Sequence, residues 1–173
     1  MITQSIKHIS SNHIEITTFN NDILYTIEVI DIYTCKLNGP YKKYYPDGQL
    51  SYEVNYLNGE PHGLFKSYYL NGQLSGQTNY LNGERHGYCK SYYHNGKLSY
   101  ETTYVKGKQH GPYKSHYPNG QLSYETTYVK GKQHGSYKAY FDNGKLLNEK
   151  NYINGIEQEG QIPITHVESD PQK

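Results

Sequence analysis

Four histidines recur at a constant spacing of 24 residues, His62, His86, His110 and His134, and a row of imidazoles is the first pattern in this chain that invites a metal. A second pattern sets Lys42, Lys90, Lys114 and Lys138 each eleven residues before a carboxylate, Glu53, Glu101, Glu125 and Glu149, the elements of an acid/base couple. Cys35 and Cys89 stand alone and give neither a disulfide framework nor paired ligand spacing, so they read as free thiols in a reducing compartment. The spacing itself argues against the first two chemistries. If each period is a hairpin, equivalent histidines lie two strands, about 9.6 Å, apart. One zinc needs its nitrogens about 2.0 to 2.1 Å from a common centre. The histidines are therefore expected to stabilise turns, and no metal is expected. A catalytic centre needs an unrepeated constellation of nucleophile, base and orienting group, whereas nearly every polar residue here belongs to a ladder. Lys42 with Glu53 reads as an exposed ion pair, and the glycine spacing lacks the strand-to-helix setting of a phosphate loop. The expectation is no enzyme, no catalytic residue and no cofactor.

The composition points to the scaffold that holds these ladders. A chain of 173 residues is one domain's worth by the usual prior of about 100 to 200 residues. It holds 22 Tyr and 17 Gly but one Met, three Phe and no Trp, with 34% hydrophobic residues, too few to cover helix faces. Tyr, Thr and Ile suit a pleated, half-buried surface, and Gly and Asn suit tight turns, so the fold class is all-β with no helix of consequence. A net charge of +1 removes the electrostatic footprint of a nucleic-acid binder. No run of 18 apolar residues and no signal-peptide stretch occurs, which predicts a soluble, cytoplasmic protein.

Glycines mark the period. Gly39, Gly63, Gly87, Gly111 and Gly135 form one series, with parallel series from Gly48 and Gly59, and residues 99–111 are identical to residues 123–135. Each unit holds two runs of strand character separated by turn residues, as in Tyr41 to Tyr45, Pro46-Asp47-Gly48, Leu50 to Leu57 and Asn58-Gly59. That is one β-hairpin per unit, joined into an elongated antiparallel meander. Alternation puts Leu50, Tyr52, Val54 and Tyr56 on one face, the packed one, together with the large-small-large set exemplified by Phe65, Ser67 and Tyr69. A two-residue Asp47-Gly48 turn would set Tyr45 opposite Leu50, Lys43 opposite Tyr52 and Lys42 opposite Glu53. The same count pairs the other lysines and glutamates, except in the second unit, where Gln77 stands. Pro46 and Pro118 cannot donate the hydrogen bond that closes such a turn and suit a type I turn with a glycine bulge, so both turn types stay open. The division is residues 1–38 as N-terminal capping strands, five repeats at 39–62, 63–86, 87–110, 111–134 and 135–159, and a polar, disordered tail over 160–173.

The unit Gly-x-Tyr-Lys-x-Tyr-Tyr-x-Asn-Gly-x-Leu-x-Tyr-Glu-x-x-Tyr-x-Asn-Gly-x-x-His resembles the MORN repeat in its variant form. The match rests on Tyr44 to Leu50, Tyr56 to Gly59 and His62-Gly63 and their counterparts, with Gln158 in place of the last histidine and Tyr and His where Trp and Tyr are common. The resemblance implies a twisted sheet with a groove along one side, and modules that bind other proteins, assemble, or sit at membranes. Bacterial relatives are often labelled antitoxin-like.

Two surfaces are candidates for such work. Tyr44, Tyr68, Tyr92, His116 and Tyr140 form an aromatic ladder on the face opposite the packed one, where an extended peptide or sugar chain could lie. The competing reading is that these rings only cover backbone in a sheet that needs extra burial. Arg85, Lys106, Lys108, Lys130 and Lys132 make a basic turn edge suited to anionic lipid, at about 1 kcal/mol per charge near the surface. Solvated turn lysines are the plainer account. The sequence thus predicts a non-catalytic scaffold that binds a protein partner or self-associates, with a peripheral membrane module as the alternative. Open strand edges favour a homo-oligomer.

Overall fold

The computed structural model describes residues 1–159; the tail expected over 160–173 lies outside them. All secondary structure among the described residues is β, in a single antiparallel sheet. The N-terminal strands are β1 (Ile2–His8), β2 (His13–Asn20) and β3 (Ile23–Asp31). The repeats supply β4 (Lys36–Tyr44), β5 (Leu50–Leu57), β6 (Glu60–Tyr68), β7 (Leu74–Leu81), β8 (Glu84–Tyr92), β9 (Leu98–Val105), β10 (Lys108–His116) and β11 (Leu122–Val129). The last are β12 (Lys132–Gln133), β13 (Gly135–Tyr140), β14 (Leu146–Ile153) and β15 (Ile156–Gln158). Each strand pairs with its neighbour in sequence, and β12 and β13 both pair with β11 as two pieces of one returning segment. The expected meander is present, and it extends through residues 1–38, whose strands lengthen the sheet.

Two turn chemistries alternate along its long sides. On one side Asn58 (φ 54°) and Gly59 (φ 85°) are both left-handed and join directly opposed Leu57 and Glu60, the two-residue I′ turn that asparagine-glycine favours. On the other side the Gly48 amide donates to the Tyr45 carbonyl at 2.9 Å, with Gly48 at φ 86°: a type I turn closed by a glycine bulge. The proline argument thus holds over the two-residue turn. Asp47 shapes this turn by accepting the Gln49 amide at 3.0 Å, as do Asn71, Asn95, Asn119 and Asn143 for the amides two residues on.

The longer turn corrects part of the expected register. Lys42 opposes Glu53 and Lys43 opposes Tyr52 as counted, but a bulge follows, and Leu50 pairs with Tyr44 rather than Tyr45. A second irregularity lies between the units. Asn55 pairs with His62 and Glu53 with Lys66, so three residues of β6 span one of β5, with Gly63 at φ 84° among them. The histidines therefore flank a bulge rather than a turn.

A one-layer sheet has little interior. The buried apolar residues are Val29, Val54, Cys89 and Ala139, and among the described residues no side chain is completely buried. Neighbouring units are tied by tyrosine hydroxyls instead. Tyr45, Tyr69, Tyr93 and Tyr117 donate to the carbonyls of Tyr68, Tyr92, His116 and Tyr140, each 23 residues on, at 2.5 to 2.9 Å. The equivalent residue of the fifth unit is Phe141, which has no hydroxyl. Backbone bonds repeat the tie on the opposite side, as from Gly83 N to Pro61 O at 2.9 Å and from Gly131 N to Gln109 O at 2.8 Å.

Replacing Tyr93 by Phe is expected to cost about 0.5 to 1.5 kcal/mol in urea unfolding, the net worth of one such hydrogen bond. Phe141→Tyr, without a sixth unit to reach among the described residues, should change stability by less than about 0.5 kcal/mol.

Candidate functional sites on the two faces

The packed face is built from rings that zigzag between adjacent strands. Tyr41 of β4 stacks on Tyr52 of β5 at 5.7 Å, and Tyr52 packs on Phe65 of β6 at 5.6 Å. Further along, Tyr100, Tyr113, Tyr124 and Tyr137 continue the pattern at 5.8, 5.1 and 5.7 Å. Tyr56, Tyr80, Tyr128 and Tyr152 meet this line edge-on at 5.8 to 6.3 Å. Both geometries are the favourable ones for aromatic pairs. Between Phe65 and Tyr100 two members of the line are missing, because β7 carries Gly76 and β8 carries Cys89 where other units carry rings. Arg85 covers the adjacent Tyr104 there, its guanidinium 5.4 Å from the ring centre.

Burial acts on these phenols. It pushes Tyr100 up to about 12, with the neighbouring Cys89 adding to the effect. Burial is also the main cause that raises Tyr41 and Tyr124, followed by a hydrogen bond with Tyr52 and Tyr113 respectively. The Arg85 guanidinium is raised by hydrogen bonding to Tyr80 and Tyr104, so it stays charged.

The opposite face carries the lysine and glutamate ladder. Lys42–Glu53, Lys90–Glu101, Lys114–Glu125 and Lys138–Glu149 approach within 3.9, 3.3, 4.0 and 3.4 Å, as the register count expected. Lys66, opposed by Gln77 on one side, turns to Glu53 on the other at 3.8 Å. Tyr44, Tyr68, Tyr92, His116 and Tyr140 stand beside this ladder, all half-buried. The hydroxyls of Tyr68 and Tyr140 donate to Glu53 and Glu125 at 3.0 and 3.1 Å. These rings are thus partly committed to the sheet's own polar network.

A neighbouring row on this face was not singled out from the sequence. Pro40, Leu64, Tyr88 and Pro112, each following a frame glycine, are exposed, Tyr88 to 68%. With the ion pairs they line successive shallow depressions. One of about 240 Å³ includes Pro40, Lys42, Glu53 and Leu64, one of about 250 Å³ includes Tyr88, Glu101 and Pro112, and one of about 390 Å³ includes Pro112, Glu125 and Lys138. The signal was present as a variable position after an invariant glycine of the repeat, but its side becomes readable only once the bulge is known.

The basic residues follow one long side of the sheet. Lys106 (φ 50°) and Lys130 (φ 51°) occupy the first I′ turn position, where Asn58, Asn82 and Asn154 stand in other units, and Lys108 and Lys132 follow the turn glycines. Arg85 lies on the same side but is held by Tyr104. Among the described residues none of the four lysines has an acidic partner within salt-bridge distance. No three His, Cys, Asp or Glu side chains among the described residues group to hold a metal ion, and no described helix could cross a membrane.

The fold and the repeated side-chain pattern define a class of tandem β-hairpin arrays. Within that class the chain belongs to the MORN repeat variant family, whose model matches residues 37–58, 61–82, 85–106, 109–130 and 133–154. No curated protein matches its sequence. Among solved structures it is similar to a mutant of TarM from S. aureus in complex with Fondaparinux, alpha-GlcNAc-glycerol and UDP. That match has 12% identity, 76% of this chain, 21% of the other and a TM-score of 0.31. A second TarM structure gives 12%, 75%, 20% and 0.30, and accessory secretory proteins 1, 2 and 3 of Streptococcus pneumoniae give 11%, 65%, 18% and 0.23. The chain spans about a fifth of the length of these solved chains.

The raised phenols have a consequence for stability. Their folded pKa values lie above the ordinary value of 10.0, so the folded state holds these protons more tightly. This contribution is complete below the unfolded value and is lost as pH rises through the folded one. Thermal melts should therefore be insensitive to these phenols up to about pH 9.5 and fall steeply between about pH 10 and 12. Tyr100→Phe should shift the fall to higher pH.

Proposed function

We propose that this chain is a non-catalytic scaffold that holds an extended segment of a protein partner across its lysine–glutamate face. MORN repeats are in general scaffold repeats that bind proteins or membranes. The observation that carries the finer reading is the exposed row Pro40, Leu64, Tyr88 and Pro112 running beside the half-buried row Tyr44, Tyr68, Tyr92, His116 and Tyr140, with charge pairs and shallow depressions between them. Apolar and aromatic anchors in line with paired charges offer area and hydrogen bonds at one-hairpin intervals to a chain laid along the array. An antitoxin-like role would be one instance. Self-association is a related mode, and β1 supports it: all seven residues are exposed, and its outer edge has no partner strand among the described residues.

A second reading has its own observation. Lysine is a poorer choice than asparagine for a left-handed turn position, yet Lys106 and Lys130 occupy two such positions in adjacent units. Backbone strain accepted to place cations side by side supports docking on an anionic lipid surface.

Affinity purification of the tagged chain from its host, beside a Leu64→Glu/Tyr88→Glu variant with an unchanged melt, tests the first reading. A partner recovered with the parent and reduced at least about tenfold with the variant is the expected result. Equal recovery would move the binding surface elsewhere. For the second reading, Lys106→Asn/Lys130→Asn should raise stability by roughly 0.5 kcal/mol or more through relief of strain. The same variant should weaken co-sedimentation with vesicles containing phosphatidylserine. No parent binding to such vesicles would remove the lipid reading.

A further inference from the structure

We infer that the place over Gly76 in the packed face, next to Phe65, is a receptor site for an aromatic side chain, a tyrosine or phenylalanine presented by a protein partner. Phe65 closes one end of the gap and Tyr100 the other, with Gly76 and Cys89 between them at the places where the line of rings would continue. A depression of about 400 Å³ lies there, and Phe65, Gly76, Cys89 and Tyr100 contribute to its lining.

Backbone geometry does not require the glycine. Among the described residues Gly76 is the one glycine without a positive φ, so its conformation is open to any side chain. A Cβ on it would meet the Ser67 hydroxyl at 3.2 Å and the Lys90 carbonyl at 3.3 Å, close but adjustable on the serine side. Tyr100 and Tyr124 occupy the equivalent position while also paired with a serine, Ser115 in both cases. A ring is thus sterically acceptable in this register, and position 76 leaves it out.

The chain also shows what fits the space. Wherever both members are present, the line consists of phenol or phenyl rings at 5.1 to 5.8 Å spacing. Phe65 and Tyr100 therefore each lack, on the side facing the gap, the ring partner that every interior ring of the line has; Cys89 Sγ stands 3.9 Å from the Tyr100 hydroxyl there, whereas Gly76 places no side chain beside Phe65. A partner's ring over Gly76 would recover with Phe65 a contact of the kind the array already makes, at an aromatic-pair value beyond simple area burial. Phe65, Cys89 and Tyr100 all lie within strands, so the receptor is ordered before the ring arrives. The face is opposite the one assigned above to the partner's main chain. The inference relies on the scaffold reading only for the source of the ring, and its test uses a free ring so that either can fail alone.

The probe is p-cresol, the tyrosine side chain as a free molecule, titrated against the ¹⁵N-labelled full chain, with methyl glucoside as the comparison for a sugar. Saturable amide shifts centred on Gly76 and Ser91 with p-cresol, none with the glucoside, and their loss in Gly76→Tyr are the expected results. Gly76→Tyr should also melt at or above the parent temperature, since it restores a ring to the line. If that variant fails to fold, Gly76→Leu fills the same place with a smaller side chain and should abolish the shifts in the same way. Shifts with the glucoside alone, shifts unchanged in a folded filled variant, or no shifts in the parent would each overturn the inference.

Discussion

A single-layer sheet must be stabilised without an interior, and every other feature of this protein follows from that constraint. With no second sheet or helix among the described residues to pack against, apolar area is removed from water between side chains that stand on neighbouring strands. Large rings do this best, because each covers its neighbours as well as the backbone beneath. The alternation of tyrosine with serine, threonine or alanine is the steric form of the same requirement: a large side chain on one strand needs a small one directly opposite so that the next ring can lean across. Tyr100 opposite Ser91 and Ser115 shows it, and so does Tyr113 opposite the buried Thr102 and Thr126. Tyrosine also answers a second need of a thin sheet, a polar tip that reaches a carbonyl of the next unit, as Tyr45, Tyr69, Tyr93 and Tyr117 do.

Repetition made much of this legible in advance. Because each unit pairs with a near copy of itself, counting inward from one turn places Lys42 against Glu53, and the count then holds in every unit that has both residues. The same count failed at Leu50, because a type I turn with its glycine bulge consumes more chain than a two-residue turn, and a further bulge shifts the final pair. Pro46 and Asp47 contained the information about the turn, since a proline lacks the donor and an aspartate caps the amide two residues on. The bulge at Gly63 was less accessible. A recurring glycine after histidine signals an unusual backbone angle, but not that three residues will span one.

The candidate sites were legible to a different degree. The row Tyr44, Tyr68, Tyr92, His116 and Tyr140 lies on the face expected, yet its hydroxyls partly serve Glu53 and Glu125, which no spacing argument reveals. Conversely Pro40, Leu64, Tyr88 and Pro112 vary in type, and so look like tolerated positions in an aligned repeat, although variable and exposed apolar residues on a regular frame are where a partner would be distinguished. The hydroxyl targets 23 residues away belong to the same category: the tyrosines are visible, but the reach across the type I turn to the next unit depends on how successive turns stack.

A regular array has a further physical limit. Identical units offer identical surfaces at each step, so a ligand laid along them could slide by one hairpin at no cost in contacts. Binding in one register requires positions where the repeat lapses. This chain has such lapses at chemically distinct places: a ring omitted at Gly76, a thiol for a ring at Cys89, tyrosine among prolines at Tyr88, and lysine for asparagine at Lys106 and Lys130. Each is compatible with the sheet because the conserved hydroxyl ties and backbone bonds between units do not involve those side chains. The stabilising network and the distinguishing residues are thereby separated, so the units can diverge at their surfaces while the rings and turns that hold them together stay constant.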